Sequence, residues 1–311
     1  MSLKAIDKYS KILLEFPQIE KQKELSAFSS FHIGGPADLF MAVSNAADIP
    51  AIIDSAIKNK IPYIVLGGGT NVVFNEKGFR GLVIRNQANR ISVKEDTITA
   101  DSGAGLAQII LQAQKNNLFG MQKLTGLPGT IGGAVRGNAG ANGLEIKDIL
   151  SSAEIYSPGG GVKTVGKDYF NFDYRHSVVK KNTDIILKVT LRLQKKDKPD
   201  EIAEAANEVR EILLARAGNQ PAGKTCGSFF KNPEPTLSAG YLLDQIGCKG
   251  LQYGGAQVSY LHANWITNLG TASQKDVIDL AKDMRARVKE HFNITLVPEV
   301  QLIGEEGFIL L

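Results

Sequence analysis

A chain of 311 residues, 43% apolar and 22% charged, is long enough for two or three domains with separate cores. Its formal net charge of +4 is spread over mixed-sign segments with no basic block, so nucleic acid is not an expected partner, although a local basic pocket for a phosphorylated small molecule stays open. Cys226 and Cys248 are too few for a disulfide framework and lack metal-ligand spacing, the N-terminus has no signal-peptide core, and no apolar run reaches bilayer length. A cytoplasmic protein without metal or membrane partner is expected.

Residues 4–16 read as an amphipathic helix with Ile6, Tyr9, Ile12, Leu13 and Phe16 on one face. A glycine-bearing turn, SFHIGGPA, precedes a strand over 38–43. Residues 47–60 repeat Ile49, Ile52, Ile53, Ala56 and Ile57 at helical spacing. After Pro62 a short strand, 63–66, runs into LGGGTN at the end where α/β ligand sites usually lie. Strands follow at 82–85, 90–93 and 97–100. A helix over 106–117 turns Leu106, Ile109, Ile110 and Ala113 inward, with Gly120 where a C-cap would fall.

Residues 124–143 read LTGLPGTIGGAVRGNAGANG and fit neither helix nor strand periodicity over most of their length. Interleaved Leu127, Ile131 and Val135 speak against a plain linker, and the small side chains leave backbone open to a partner. Strands resume at 152–156 and 184–193, the second alternating Ile185, Leu187, Val189, Leu191 and Leu193. The polar run 195–200 reads as a boundary before an amphipathic helix over 202–216. A helix over 239–246 and strands at 256–259 and 265–268 come next. The helix over 276–292 has Ser273 as N-cap and Asp276 in capping-box position, and a strand over 295–302 closes the pattern.

In LGGGTN three residues without Cβ let the backbone take positive φ and bring bare N–H groups against a ligand. Such a nest suits phosphate. The loop is neither a GxGxxG turn nor a P-loop, because Thr70 and Asn71 lead into a second strand rather than a helix. From these residues alone an ordinary turn remains the alternative.

Several stretches together resemble one family. SFHIGGPAD, VLGGGTNVVF, LTGLPGTIGGAV, GNAGANG, YRHS, GSFFKNP, GGAQVSYLHANWITN and LVPEVQLIG occur in the order found in the flavin-dependent UDP-N-acetylenolpyruvoylglucosamine reductases of bacterial cell-wall synthesis. The resemblance implies an α+β chain: a two-subdomain FAD-binding part of the vanillyl-alcohol-oxidase type and a C-terminal α+β substrate-binding domain. It divides the chain into 1–84 with the closing strand 300–311, then 85–197, then 198–299. It further implies a reaction in which FAD and NADPH reduce UDP-N-acetylglucosamine enolpyruvate to UDP-N-acetylmuramate; a monomer is expected. Another oxidase or dehydrogenase of the same flavin fold, or a non-catalytic UDP-sugar-binding flavoprotein, is the alternative.

The same resemblance distributes the work among residues. Gly67, Gly68, Gly69, Thr70 and Asn71 are expected at the FAD diphosphate, with Thr125, Gly126, Pro128, Gly129, Gly132, Gly133, Asn138 and Gly140 on the cofactor's other side. The reaction needs a hydride at the enolpyruvyl methylene, stabilisation of the enolate that develops, and a proton for carbon. Arg175 has the planar fork for the carboxylate, Glu299 in an apolar segment is the second stabiliser, and Ser228 is the general acid. Tyr174, Asn232 and His262 are expected to line the substrate pocket, with Arg216 and Lys231 as further phosphate partners. Thr70 stands where the family has Ser, Asn142 where an aromatic is frequent, and Cys226, two residues from Ser228, where a non-thiol is common. Only Glu234, Pro235, Thr236, Leu237 and Ser238 separate GSFFKNP from the next helix, so the chain resembles the shorter subclass without a Tyr-bearing insertion. Adjacency of Cys226 to Ser228 suggests a site sensitive to thiol oxidation.

Overall fold

The computed structural model describes residues 3–311, with side chains from Lys8 onward. They fall into two compact units. One holds the described residues up to Ile19, with Met41–Gly68 and Ile84–Arg216; the other holds Glu20–Phe40, Gly69–Val83 and Ala217–Leu311. The helix Pro199–Asn219 and the strands Pro36–Val43 and Phe79–Asn86 each contain a boundary between units.

The first unit is built on a five-stranded sheet in the order Gly161–Gly166, Leu150–Ser157, Ile185–Arg192, Thr97–Asp101 and Ile91–Lys94. Every pairing is antiparallel; Val189 lies opposite Ala100, and Ile155 opposite Ile186 and Lys163. Leu187, Val189 and Leu191 are buried, as their alternation requires, while Ile185 is half-buried. The helix Leu106–Lys115 packs Ile109, Ile110 and Ala113 into the same core. The edge strand Gly161–Gly166 is not legible in the sequence, because its exposed positions carry no apolar alternation. The 106–115 helix is capped at Asn116 and followed by Asn117 at φ +55°, so Gly120, at φ +118°, lies beyond the cap. Ile57, expected inward, is 45% exposed on the helix Ile49–Lys58. Of the first helix, Leu3–Glu15, Tyr9 and Ile12 are buried; Ile6 lies outside the residues with described side chains.

Residues 124–143 hold a helix that periodicity did not predict, Ile131–Gly137. Ile131, Ala134 and Val135 bury one face, the Thr130 hydroxyl accepts from Gly133 N, and Asn138 ends the helix at φ +44°. Two caps and three buried side chains outweigh the low propensity of Gly132 and Gly133.

The second unit carries a four-stranded antiparallel sheet in the order Thr225–Ser228, Trp265–Asn268, Ala256–Val258 and Gln252–Tyr253. The helix Gln274–Phe292 buries Val277, Leu280, Ala281, Met284 and Val288 in a core shared with Phe229, Phe230, Leu242 and Ile266. Each of these side chains except Ala281 contributes about 1.5–3 kcal/mol on full burial. The expected capping box is present: Asp276 N donates to Ser273 Oγ at 3.1 Å and Ser273 N to Asp276 Oδ2 at 2.9 Å. Val72–Phe74 pairs in parallel with Gln301–Ile303. Gln274, 1% exposed, clamps that pair: its amide donates to Val73 O at 2.8 Å and Ile303 O at 2.9 Å and accepts from Asn75 at 3.0 Å. The closing strand begins only at Gln301; before it, Pro298 makes an isolated bridge with Phe230, since proline has no N–H for a ladder. The helix Pro199–Asn219 buries only Ala205 and leaves Leu213 and Leu214 exposed, so its expected apolar face is not covered.

Candidate active site

The strand Tyr63–Leu66 runs into residues 67–71, and strand geometry resumes at Val72. The glycines have separate reasons. Gly69 takes φ +68°, and a Cβ there would strike the carbonyl of Phe28. At Gly67 a Cβ would strike the hydroxyl of Thr130, so this position is where the loop meets the 124–143 stretch. None of the backbone N–H groups from Gly67 to Asn71 finds an acceptor among the described residues. A run of five unsatisfied donors in a half-buried loop fits an anionic group such as a diphosphate. The side chain of Asn71 is committed elsewhere, donating to Glu299 O at 3.1 Å, while Asn71 O accepts from Gln301 N at 3.0 Å.

In the 124–143 stretch the Thr125 hydroxyl is buried without a hydrogen-bond partner, an orphan that an oxygen-rich ligand would satisfy. Gly126, at φ +79°, lies under Arg216: a Cβ there would come within 2.7 Å of the arginine Nε. Burial pushes the Arg216 pKa down. The residue expected on substrate phosphate thus packs on the loop expected to hold FAD. Gly129 O accepts from Leu106 N at 3.1 Å after the break at Pro128. A Cβ on Gly132 would lie 2.7 Å from Ser102 Cβ, whereas Gly133 has ordinary room. The Asn138 side chain is bonded within the protein, and Gly140 is closely packed. Asn138 is fully buried, and its amide bonds Glu145, Asp173 and Lys147. A Cβ on Gly140 would lie 2.7 Å from Leu144 O and 3.2 Å from Arg175 Nη1.

Arg175 stands in a tight turn. Asp173 N donates to His176 O at 3.1 Å and His176 N to Asp173 O at 3.0 Å, with Tyr174 and Arg175 at the tip. Arg175 has φ +53° at the third turn position, which normally takes Gly or Asn. Its guanidinium lies 4.9 Å from the Tyr174 ring, donates through Nη2 to Gly140 O at 2.6 Å, and pairs with Glu145 at 3.6 Å. Tyr174 is 39% exposed at the tip. Glu145 is absent from the sequence-based site; the one signal for it is a carboxylate two residues after the GNAGANG stretch.

In the second unit Ser228 ends the strand Thr225–Ser228, opposite Trp265, after a bulge at Gly227 with φ +80°. Asn264 fixes the next two residues: Phe229 N donates to Asn264 O, Phe230 N to its Oδ1, and its Nδ2 to Phe230 O. Glu299 N then donates to Phe229 O at 2.8 Å, and Lys231 N to Val297 O at 2.9 Å. Ser228 and Glu299 are thereby brought to one stretch of backbone, both half-buried. Asn232 accepts from Ala239 N at 3.1 Å, at the start of the helix Ala239–Gln245. His262 packs over Gly240, where a Cβ would lie 2.8 Å from the ring. Its Nδ1 accepts from Asn264 N at 3.2 Å, which leaves the proton on Nε2. Burial, reinforced by Lys249, pushes the His262 pKa down, which favours the neutral ring. The Cys226 thiol is held near Val72 O and pushed up to about 12 by burial. Burial thus works against the thiolate, the form that oxidation requires.

Among the described residues no helix is long and apolar enough to cross a membrane, and no cluster of three metal-ligating side chains occurs. An FAD binding domain model matches residues 37–166, and the model for the UDP-N-acetylenolpyruvoylglucosamine reductase C-terminal domain matches residues 220–303. The UDP-N-acetylenolpyruvoylglucosamine reductase of Clostridium novyi (strain NT) is 34% identical over 304 residues, covering 97% of both chains. That of Trichormus variabilis is 36% identical over 292 residues, 93% of this chain and 87% of its own. The crystal structure of UDP-N-acetylenolpyruvylglucosamine reductase from Thermus caldophilus aligns with a TM-score of 0.76 at 31% identity, covering 91% of this chain and 98% of that one. The expected α+β architecture, an FAD-binding part followed by the reductase C-terminal domain, is the one observed. The chain belongs to the UDP-N-acetylenolpyruvoylglucosamine reductase family.

Proposed function

We propose that this chain reduces UDP-N-acetylglucosamine enolpyruvate to UDP-N-acetylmuramate, a peptidoglycan precursor, with NADPH as hydride donor and FAD as cofactor. Family membership over nearly the whole length carries the reading, and the open amides of residues 67–71 and the orphan Thr125 hydroxyl support the cofactor. Bound FAD would supply the hydride-transfer chemistry that links NADPH to the substrate's methylene carbon.

The residues of the chain do the rest. Backbone N–H groups of Gly67, Gly68, Gly69, Thr70 and Asn71 hold the diphosphate, with Thr125, Gly126, Pro128, Gly129, Gly132 and Gly133 contributing from the second stretch. Arg175 holds the substrate carboxylate, and its attraction grows as negative charge spreads onto that carboxylate. Glu299 stabilises the same enolate. Ser228 gives its hydroxyl proton to the carbon beside the carboxylate and recovers one from solvent. Tyr174, Asn232, Lys231 and neutral His262 contact the UDP-sugar. We assign 1–84 with 300–311, and 85–197, to flavin binding, and 198–299 to substrate binding. The working form is a cytoplasmic monomer without nucleic-acid or membrane partner, which light scattering of the purified protein checks for oligomeric state.

The purified protein should show a flavin spectrum that NADPH bleaches without oxygen. Addition of the enolpyruvyl UDP-sugar should restore it. Reoxidation by oxygen with no response to the sugar would overturn the assignment in favour of an oxidase.

A further inference from the structure

Asn138, Glu145 and Gly140 together surround the one turn that carries Arg175. The Glu145 carboxylate is divided: Oε1 faces Arg175 Nη1 at 3.6 Å, while Oε2 accepts from Asn138 Nδ2 at 3.1 Å and pairs with Lys147 Nζ at 2.6 Å. The same Asn138 amide nitrogen donates to Asp173 O at 3.0 Å, at the root of the turn. Its Oδ1 accepts from Lys147 N at 3.1 Å, so the whole amide is spent. Glu145 and Arg175 side chains are each 19% exposed, where an ion pair is screened less than at the surface. A guanidinium on a turn at positive φ has no local reason to hold one direction. Glu145 on one nitrogen and Gly140 O on the other supply that direction.

We infer that Glu145 and Asn138 are positioning residues for Arg175: Glu145 aims the guanidinium, and Asn138 aims Glu145 while anchoring the turn at Asp173. The inference rests on the reading that Arg175 holds the substrate carboxylate. Asn138 thereby moves from direct cofactor contact, as the family resemblance had it, to support of the reacting side.

The test uses full-length, flavin-loaded enzyme and measures the two half-reactions separately by stopped flow. In Glu145→Gln, reduction by NADPH should match the unchanged protein, and reoxidation by the enolpyruvyl UDP-sugar should slow roughly ten- to a hundredfold, the scale for a misplaced reacting group. Glu145→Asp should recover part of the rate. In an Arg175→Lys background, Glu145→Gln should add less than twofold, because its partner geometry is already lost. Equal slowing of both half-reactions, the same fold-loss in the Arg175→Lys background, or unchanged reoxidation would each overturn the positioning role. Normal reoxidation in Arg175→Lys alone would instead sink the parent reading. Asn138→Asp supplies the second variant: it keeps the size of the side chain but loses the donor to Asp173 O, and should copy the loss at reoxidation alone.

Discussion

The loop at residues 67–71 and the turn at residues 173–176 handle positive φ in opposite ways. The loop places Gly69 at the left-handed position and exposes backbone amides. The turn places Arg175 there, accepts the strain, and fastens the side chain with Gly140 O and Glu145. A ligand read by backbone needs only that side chains be absent. A ligand read by one guanidinium needs a direction, and direction has to be built from neighbours. The contrast predicts that changes at the loop disturb cofactor retention, while changes at the turn disturb chemistry with the cofactor still in place.

The largest expected effect is at Ser228, whose strand pairs with Trp265 and is followed by two residues held by Asn264. Ser228→Ala should leave reduction by NADPH intact and slow reoxidation by the sugar roughly a hundredfold or more; stopped-flow absorbance of the flavin reads both, and normal turnover would remove Ser228 as the acid. Arg175→Gly sharpens the contrast directly. Relief of the left-handed strain returns about 1 kcal/mol, which offsets much of the roughly 1.5–3 kcal/mol lost with the charged bond to Gly140 O. Tm should therefore move little while reoxidation falls roughly a hundredfold or more. A large drop in Tm would mean that the turn is a stability element first. Gly69→Ala, which meets the Phe28 carbonyl at positive φ, should cost about 2 kcal/mol or more and release FAD, seen as flavin lost on gel filtration. Retained flavin at native affinity would break the comparison.

Outside both regions, Gln274→Ala should cost about 2–4 kcal/mol in urea unfolding, because Val73 O and Ile303 O lose their buried donor. The smallest effect concerns pH. Since the folded pKa of His262 lies below its unfolded value near 6.5, the unfolded chain takes up this proton first as pH falls. Stability should therefore decline from about pH 6.5 downward until the folded histidine also protonates. His262→Gln should flatten that part of the Tm-versus-pH curve, and an unchanged slope would clear His262 of the role.

What could be read from residue order follows how local each feature is. Ser273 and Asp276 sit three apart, so their capping box was visible in the sequence, as was the alternation from Leu187 to Leu193. The edge strand Gly161–Gly166 has no buried face to write a pattern. The helix Ile131–Gly137 owes its existence to caps and core contacts that outweigh two glycines. Motif order alone pointed to residues 67–71, Arg175, Ser228 and Glu299, but not to Glu145, whose partner Arg175 is thirty positions distant in the chain. Nor could motifs say that Asn71 spends its amide on the Glu299 carbonyl.

That last bond has a temporal side. Asn71 and Glu299 are 228 positions apart, and Val72 finds its strand partner only in Gln301. During synthesis from the N-terminus, the far flank of the glycine loop has nothing to pair with until the chain is almost finished. Such long-range closure is slow compared with local helix formation. The nascent protein therefore passes through a stage in which the five-stranded sheet can form and the glycine loop cannot be completed, so a ligand held by that loop, FAD on the proposed reading, is captured only at the end of folding.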